Sequence, residues 1–483
     1  MTTEHKRPSL LVALLPVTLL IVMLSFNVFV FKDDSSYGPN QLSLLFSAII
    51  TALIGVFHLK MDYHDIEKKA IDSIGVALQA MLILLVVGAL IGIWILNGVV
   101  PTMIYYGIKM ISPAVFLPVA LVICSIVSLA TGSSWSTVGT VGIALIGIGH
   151  ALGIPEGMVA GAIVSGSYFG DKMSPLSDTT NLAPAMAGAN LFEHIRHMMF
   201  TTIPSIVIAL LLFIILGVFY SGDNIDEQKI NLLTQTISAQ FNLSAWLFTL
   251  PLLVFVLVKK KVPALPALLA GTIFGIVYAL FFQQALLAKI VGAEFNFVSI
   301  YKAIMKITYG GFESTTGNAV VDKLFTRGGM SGMLNTIWLI LMAMIFGGMM
   351  EVTGMLGKIA EAILKMVSGV TSLVASTVGT SIFLNLTTSD QYIAIVVTGR
   401  MFKSAYKDQN LHPKNLSRAV EDGGTVTSVL VPWNTCGAYF SSVLGVATLT
   451  YLPFAFFNLL SPIMSILIAA SGKTMDPAPV DNE

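Results

Sequence analysis

A segment that should cross a membrane as one helix is interrupted by polar residues at positions 165–190. Apolar sequence typical of a helix leads into the interruption over residues 157–164 and continues after it over residues 182–189. Lipid cannot satisfy free backbone groups, so a broken helix at membrane depth must be buried in protein or line a wet cavity. Ionisable groups at that depth are costly and usually functional. The segment therefore predicts a helix that breaks inside the membrane, an arrangement that many transporters use at an ion site.

The rest of the chain has the composition of a membrane protein. Of its 483 residues, 55% are apolar and 11% are charged, whereas soluble domains are about 25% charged. About ten apolar stretches have spanning length or come near it. The formal net charge of zero gives no reason to expect a nucleic-acid partner. The two cysteines, Cys124 and Cys436, provide neither a disulfide framework nor the spacing of a metal site. We expect an all-α protein that crosses the bilayer many times.

The two halves of the chain repeat. Landmark glycines and prolines recur in the same order and at one constant offset, pairing Gly166 with Gly423, Pro175 with Pro432, and Gly188 with Gly445. Before each broken helix, two short apolar arms are joined by a polar tip, at residues 131–134 in the first half and 387–390 in the second. Chance matching in a glycine-rich chain is the alternative, but order and spacing agree as well as residue type. Two interrupted segments at corresponding positions point to a transporter binding site.

The predicted organisation is two repeats joined by a polar loop. The first repeat takes residues 1–220, with a re-entrant hairpin at 113–153 and the broken helix at 157–190. A polar loop follows at 221–242. The second repeat takes residues 243–470, with a hairpin at 370–405 and a broken helix at 414–448, and a polar tail occupies 471–483. Residues 283–332 mix apolar and charged positions and are not assigned as spanning or interfacial.

Lysines and arginines favour one orientation of these segments. Cytoplasmic loops carry an excess of both residues, and placing Lys6 and Arg7 inside also places the lysine run at 259–261 inside. Both termini are then cytoplasmic. If each hairpin returns to its own side, the second half enters the membrane from the opposite face, so the repeats are inverted. The basic residues between positions 289 and 327 are the main exception.

Both breaks and both hairpin tips carry oxygen groups, which bind hard cations such as sodium. The candidate sodium- and proton-binding residues are Asp171, Ser174, Asp178, Thr179 and Asn181 in the first half, and Thr388, Ser389, Asp390, Glu421, Asp422, Asn434 and Thr435 in the second. The first hairpin tip adds Thr131, Gly132, Ser133 and Ser134. Asp178, Thr179 and Asp390 are predicted to contact the sodium ion directly.

Exchange needs only one carboxylate that binds either sodium or a proton. Asp178 is the first candidate because its sequence neighbours are hydroxyl and amide residues, none of which fixes its charge. Asp390, Glu421 and Asp422 are the further candidates for the proton.

Several of these residues also have a purely structural interpretation. Asp171 and Lys172 can form an ion pair that holds the broken helix. Asp390 can cap the helix that follows it, and the hydroxyl groups of the tips can satisfy backbone donors.

The same applies to the second broken helix. Glu421 and Asp422 can lie near its cytoplasmic end and pair with Arg418. The histidines His150, His194 and His197 fall near predicted span ends, and we expect them at the interface rather than in a proton relay.

Three motifs carry a resemblance that covers nearly the whole chain. They are Thr131-Gly132-Ser133-Ser134-Trp135-Ser136-Thr137, Gly170-Asp171-Lys172-Met173-Ser174-Pro175-Leu176-Ser177-Asp178-Thr179-Thr180-Asn181, and Glu421-Asp422-Gly423-Gly424-Thr425 with Pro432-Trp433-Asn434-Thr435. The chain resembles the NhaC-type sodium/proton antiporter family. The resemblance implies a bacterial inner-membrane antiporter with two re-entrant hairpins and two interrupted helices, which needs no cofactor besides the transported sodium. Some members are similar to exchangers of malate against lactate, so small carboxylic acids stay an alternative substrate. A homodimer is compatible with the sequence.

Two other function classes compete with a transporter. An ion channel would need a continuous polar path, whereas paired broken helices favour alternating access. An intramembrane enzyme is disfavoured because the sequence contains neither a His-Glu-x-x-His zinc motif nor a Gly-x-Ser-x-Gly elbow. We therefore predict a secondary antiporter that exchanges sodium for protons, and not an enzyme.

Overall fold

The computed structural model describes residues 7–31, 35, 37–220, 227–260, 262–292, 295–365, 367–472 and 474–478. Regular structure in these residues is helical, apart from two isolated β-bridges. The α-helices of the first half are α1 Leu10–Phe31, α2 Pro39–Leu53, α3 Tyr63–Leu96, α4 Val99–Met110, α5 Pro113–Thr131, α6 Ser134–Thr137, α7 Ile143–Ala151, α8 Glu156–Met173, α9 Asp178–Ala187 and α10 Leu191–Tyr220.

The α-helices of the second half again include long and short ones, and several of the short helices lie near the middle of the chain. They are α11 Glu227–Gln240, α12 Thr249–Lys259, α13 Ala264–Phe282, α14 Gln284–Val291, α15 Phe297–Gly310, α16 Ala319–Phe325, α17 Leu334–Val352, α18 Met355–Leu364, α19 Val370–Thr387, α20 Gln391–Asp408, α21 Pro413–Val420, α22 Val426–Ser428, α23 Thr435–Leu444, α24 Thr448–Tyr451 and α25 Phe456–Ser471. Three π-helical turns continue α-helices, at Ile54–His58, Val138–Gly142 and Glu421–Thr425.

Among the described helices, eight are long and apolar enough to cross a membrane, or up to ten if each of two sharply bent pairs is one span. Their outer faces present large apolar side chains: Leu11 is 83% exposed, Phe29 80% and Phe219 78%. Such extended apolar surface suits lipid rather than water. The prediction of an all-α protein with many membrane spans is confirmed. The inverted orientation of the two halves stays a prediction.

The first half contains a helical hairpin followed by a broken helix. Helix α5 forms one arm, and α6, the π-helical turn and α7 form the other. Helix α8 ends at Met173 and α9 begins at Asp178, with Pro175 in the short break between them. Proline has no backbone N–H and cannot continue a helix without losing a hydrogen bond. Ser177 then caps α9 by accepting a hydrogen bond from the Thr180 amide at 3.4 Å.

Helix boundaries in the second half repeat those of the first half, at the offset that separates Gly166 from Gly423. The N-caps Pro155 and Ser177 correspond to His412 and Asn434, and the left-handed C-caps Gly188 and Gly445 also match. At the hairpin tips, the same offset pairs Gly132 (φ 69°) with Ser389 (φ 59°). Residues 131–134 therefore correspond to residues 388–391, and the predicted match to 387–390 is wrong by one residue.

Helices α5 and α8 pack closely because glycine faces α5. A Cβ atom at Gly170 would lie 2.5 Å from the Ser125 carbonyl oxygen and 2.6 Å from the Ser128 Cβ. The Ser128 hydroxyl donates to the Ser167 carbonyl at 2.6 Å. Small residues let membrane helices approach in this way. The end of α8 is thereby held against the hairpin and brings the break beside the hairpin tip.

Two regions differ from the sequence expectation. The predicted polar loop at 221–242 contains helix α11, which buries Leu233 and Ile237, with Phe241 buried just after its end. These apolar positions are four residues apart, so the segment is an amphipathic helix despite its polar composition. Residues 221–226 of that loop lie outside the described residues. The unassigned stretch 283–332 forms the short helices α14, α15 and α16, none of which is a candidate span.

Candidate ion-binding site

The two hairpin tips and the break of the first broken helix line a cavity of about 910 Å³, together with α3 and the connection between α12 and α13. Its polar lining residues are Gln79, Thr131, Ser133, Ser136, Asp171, Ser177, Asp178, Thr179 and Asn181 from the first half, and Asp390, Gln391, Tyr392 and Thr435 from the second. The broken backbone thus lines a cavity, as a helix break inside a membrane requires. Among the described lining residues, three carry a carboxylate and none carries a basic side chain.

Asp171 joins the first broken helix to the first hairpin tip. Its Oδ2 atom accepts hydrogen bonds from the Ser134 amide at 3.1 Å and from the Ser134 hydroxyl at 2.6 Å. Ser134 is the first residue of α6, so the donated amide is one that the helix itself leaves unsatisfied. The partial positive charge of a helix start also stabilises a carboxylate. One oxygen of Asp171 is therefore committed to a structural contact.

Lys172 does not pair with its neighbour Asp171. Its ammonium group forms an ion pair with Asp422 of the second broken helix, and both side chains are fully buried. Thr201 on α10 donates to the same Asp422 oxygen at 3.3 Å. Adjacent residues on a helix point in different directions, so Asp171 reaches the hairpin while Lys172 reaches the other half. The interpretation of Asp171 and Lys172 as an ion pair is wrong.

Asp390 both caps a helix and lines the cavity. Its Oδ1 atom accepts from the Tyr392 amide at 2.9 Å and from the Ile393 amide at 3.2 Å, which caps α20. Its Oδ2 atom accepts from the Thr435 hydroxyl at 3.2 Å, and Thr435 begins the second half-helix α23. The structural interpretation of Asp390 as a cap is confirmed, and this role does not remove the residue from the cavity wall.

Asp178 is the cavity carboxylate with the fewest constraints. It is the first residue of α9 and is exposed. No hydrogen bond or ion pair engages its carboxylate within the described part of the chain, whereas Asp171 and Asp390 both accept hydrogen bonds. Its neighbour Thr179 also lines the cavity, with its hydroxyl 3.2 Å from that of Ser177. Asp178, Thr179 and Asp390, the predicted sodium contacts, therefore share one cavity.

The remaining predicted ligands hold backbone groups or lie behind the cavity wall. Ser174 accepts a hydrogen bond from the Leu176 amide at 3.3 Å, and Asn434 accepts one from the Cys436 amide at 3.0 Å. The Thr388 hydroxyl donates to the Leu384 carbonyl at 2.8 Å. Ser389, Glu421 and Asp422 are buried outside the cavity. The sequence alone cannot distinguish a side chain that holds backbone groups from one that binds a cation, because a cap and a cation ligand both require a side-chain oxygen.

Asn181 combines both uses. It lines the cavity, but its amide nitrogen donates to the Pro175 carbonyl at 2.9 Å and to the Ser177 carbonyl at 2.7 Å. These two bonds hold the break in shape. The side chain therefore stabilises carbonyls of the break and leaves only its oxygen for a ligand.

Sequence reasoning missed the residues just after each tip. Trp135, Gln391 and Tyr392 line the cavity. Trp135 stacks on Tyr439 of α23, with ring centroids 4.0 Å apart, and the Tyr439 hydroxyl donates to the Trp135 carbonyl at 2.9 Å. The first hairpin tip is thereby attached to the half-helix of the other repeat. The available signal was the one-residue shift of the tips, which brings position 391 into register with Ser134.

Arg418, near the second broken helix, has other partners than expected, and the nearby histidines are buried. Arg418 donates hydrogen bonds to the Thr474 hydroxyl at 3.0 Å and the Met475 sulfur at 3.5 Å, in the C-terminal tail, and not to Glu421 or Asp422. The expected place of His194 and His197 at the membrane interface stays a prediction, and both side chains are buried, at 0% and 3% exposed. They lie between helices, and His194 bonds the Ser417 hydroxyl at 2.8 Å.

Comparison with known proteins gives one family. The Na⁺/H⁺ antiporter family matches residues 166–473. The chain is 38% identical over 469 residues to the Na⁺/H⁺ antiporter NhaC of Alkalihalophilus pseudofirmus, covering 97% of both chains. It is 38% identical over 454 residues to the malate-2H⁺/Na⁺-lactate antiporter of Bacillus subtilis, covering 94% of this chain and 92% of that one. It is 39% identical over 425 residues to the Na⁺/H⁺ antiporter NhaC of Bacillus subtilis, covering 88% and 91%.

All three relatives are antiporters, which confirms the prediction of a transporter rather than an enzyme. The NhaC resemblance that three sequence motifs carried is also confirmed. Both the family match and the near full-length identity lead to one conclusion: the chain belongs to the Na⁺/H⁺ antiporter family.

Proposed function

We propose that this chain exchanges sodium for protons across the bacterial inner membrane by alternating access, and that the two ions compete for Asp178. The observation that carries this proposal is the position of Asp178, which lines the cavity without a hydrogen-bond or ion-pair partner among the described residues. Asp171 and Asp390 each have at least one oxygen committed to a structural contact. A carboxylate with both oxygens free can exchange sodium for a proton without breaking such a contact.

The cavity supplies the kinds of oxygen that a hard cation needs. Thr179 and Asp390 offer a hydroxyl and a carboxylate in the cavity that Asp178 lines, and the final carbonyls of α8 add negative potential at the break. No group of three His, Cys, Asp or Glu side chains converges as a metal site in the described ranges. Hydroxyl, carbonyl and water oxygens therefore have to complete the coordination of a single sodium ion.

We propose that this conformation is open to the cytoplasm. The cavity extends to Val258 and to Val262, Pro263 and Ala264, at the connection between α12 and α13. The lysine run at 259–261 lies in that connection, and the positive-inside rule assigns such a run to the cytoplasm together with both termini. A cysteine at the exposed position of Lys260 should react with an impermeant reagent only from the inside. Labelling only from the outside would overturn the orientation.

Exchange by purified protein in sealed vesicles that contain a pH dye tests the role of Asp178. Asp178→Asn should abolish sodium-driven proton movement while the protein still folds and inserts. Asp171→Asn should lower stability instead, because it weakens the bond to the Ser134 backbone. Asp408→Asn is the matched control, since Asp408 is an exposed carboxylate outside the cavity. Sodium exchange by Asp178→Asn at the wild-type rate and apparent affinity would exclude Asp178 as the shared ligand.

A sodium-coupled exchange of small carboxylic acids is the second candidate. A cavity of about 910 Å³ is far larger than one ion requires and falls in the range of small-molecule pockets. Because the described lining carries carboxylates and no basic side chain, an organic anion would need a bound sodium ion to offset the repulsion. Addition of malate or lactate should then change the dye signal only when sodium is present. A dye signal from either acid without sodium would contradict the proposal that sodium has to bind before the organic anion.

A further inference from the structure

A second pocket lies at the opposite end of α8 from the candidate cation site. Its volume is about 220 Å³, and it is lined by the end of α7, the start of α8, α16 and the end of α23. Helix α8 runs unbroken from Glu156 at this pocket to Met173 at the break, so its two ends are about 25 Å apart. The two sites share no lining residue. The proposed orientation places this pocket at the outer face of the membrane.

The charges around this pocket do not balance. Its titratable lining residues in the described part of the chain are His150, Glu156, Lys323 and Arg327. The Oε1 atom of Glu156 is engaged by the Nδ1 atom of His150 at 2.8 Å and by the Nζ atom of Lys323 at 3.4 Å. Asp322, also on α16, does not line the pocket and accepts hydrogen bonds from the loop that precedes this helix. One lysine and one arginine therefore face a single carboxylate, which leaves a surplus of positive charge.

Arg327 is the cation of this pocket that has no close counterion. Its Nη2 atom donates to the Leu444 carbonyl at 3.0 Å. This is the one side-chain hydrogen bond of Arg327 to the described residues, whereas a guanidinium carries five N–H donors. Glu156 attracts it electrostatically but forms no ion pair with it. The side chain is half-buried, and donors that are removed from water need another acceptor. The free donors indicate an anionic ligand.

The guanidinium of Arg327 is held in position before any ligand binds. The backbone of Arg327 pairs with that of Phe312 through two hydrogen bonds of 3.1 Å each. A Cβ atom at Gly445 would lie 2.4 Å from the Nη2 atom, so the guanidinium packs directly against the end of α23. A planar guanidinium matches the two oxygens of a carboxylate or a phosphate. Its fixed position lowers the entropic cost of binding such a ligand.

We propose that this pocket binds a small oxyanion, either a carboxylate or inorganic phosphate, with Arg327 as the main ligand and Lys323 at the rim. The described lining of the larger cavity offers no basic side chain for such an anion. Helix α8 begins at the pocket and α23 ends there, so the bound anion bridges α16 to both broken helices. Binding needs neither sodium nor a proton, and the inference therefore does not rest on the proposed exchange.

Thermal unfolding of the purified protein in sodium-free buffer tests the proposal. Lactate, malate and phosphate are added separately, and potassium chloride keeps the ionic strength constant. Sodium is left out because an organic anion in the larger cavity would need it. At least one of the three anions should raise the melting temperature of the wild-type protein with the concentration dependence of a single bound ligand. A response to lactate or malate identifies a carboxylate site, and a response to phosphate alone identifies an inorganic one.

Two variants separate binding at this pocket from a general effect of the salt. Arg327→Gln keeps a hydrogen-bond donor but loses the charge, and it should weaken the apparent affinity by about ten- to a hundredfold. Lys302→Gln removes an exposed lysine of α15 outside the pocket and should behave as the wild type. No rise with any of the three anions, or an equal rise in Arg327→Gln, would overturn the proposal.

If Arg327→Gln does not give monodisperse protein, Lys323→Gln takes its place. The Lys323 side chain is 70% exposed, and its loss leaves the hydrogen bond between Arg327 and Leu444 intact. This variant should bind the anion several-fold more weakly, and an unchanged affinity would contradict the proposal. A wild-type protein that moves no sodium in vesicles would overturn the proposed exchange and leave the anion site standing.

Discussion

The buried ion pair between Lys172 and Asp422 gives the most stringent test of the packing between the two halves. Lys172→Met should lower the free energy of unfolding by about 3–5 kcal/mol, the usual cost of leaving one partner of a buried pair without the other. Among the described residues, Asp422 would then keep one hydrogen bond, from the Thr201 hydroxyl at 3.3 Å. Asp422→Asn should cost less, by about 1–2 kcal/mol, because the Lys172 ammonium can turn to the neighbouring Glu421 and form a charged hydrogen bond there.

The double variant Lys172→Met/Asp422→Asn completes the cycle. It should recover most of the loss, since replacing both members of a buried pair is often neutral. Equilibrium unfolding of purified protein in mixed micelles measures all four free energies. The control is the half-exposed pair of Lys358 and Glu361, whose Nζ and Oε2 atoms are 3.1 Å apart, and Lys358→Met should cost less than about 1 kcal/mol. A cost of Lys172→Met below that of the control, or additive losses in the double variant, would refute the buried pair.

Three further predictions concern single positions. Gly170→Ala should separate α5 from α8 and lower the melting temperature by an amount that corresponds to about 1–3 kcal/mol, whereas Gly357→Ala, which has no heavy atom within 4 Å of its new Cβ, should not destabilise. Asp390→Asn keeps an oxygen that can cap α20, so it should lower sodium affinity while expression stays normal. Asp390→Ala loses the cap as well, and its free energy of unfolding should fall by about 1 kcal/mol. Equal expression and equal sodium affinity in the two variants would contradict the role of Asp390 as both a cap and a sodium ligand. The Lys414 ammonium lies 2.6 Å from the Asp476 carboxylate and holds the pKa of Asp476 below its ordinary value. Attachment of the tail should therefore be complete above the ordinary aspartate pKa. It should be lost as the pH falls through the lowered pKa of Asp476. Protease cleavage of the tail should follow that pH profile, and Asp476→Asn should remove it.

Apolar length and the interruptions were enough to predict most membrane helices and both broken helices. Pro175 and Gly188 mark the break and the end of its second half-helix without any knowledge of packing. The one-residue error at the second tip arose because the match followed residue types. In the structure, the two tips correspond through the residue with left-handed backbone conformation, which is Gly132 in the first half and Ser389 in the second.

The contacts of individual side chains could not be predicted in this way. Asp171 and Lys172 are neighbours in sequence, yet their partners are residues 37 and 250 positions away. Which partner each finds depends on how α8 is rotated against its neighbours, and the close contact at Gly170 fixes that rotation. Helix α11 was missed for another reason, because its polar composition obscured the spacing of its apolar face.

The shared offset of the two halves has a consequence for the direction of transport. The acidic residues of the cavity do not obey the symmetry of the backbone, since Asp171, Asp178 and Asp390 correspond to Ser428, Thr435 and Ser133. If the two halves exchange conformations to open the cavity to the opposite side of the membrane, the backbone arrangement is reproduced, but the positions of the carboxylates are not. The inward-open and outward-open forms then hold the same ion with different strength. We expect the half-saturating sodium concentration to differ between the two faces of one membrane, so that loading is favoured on one side and release on the other.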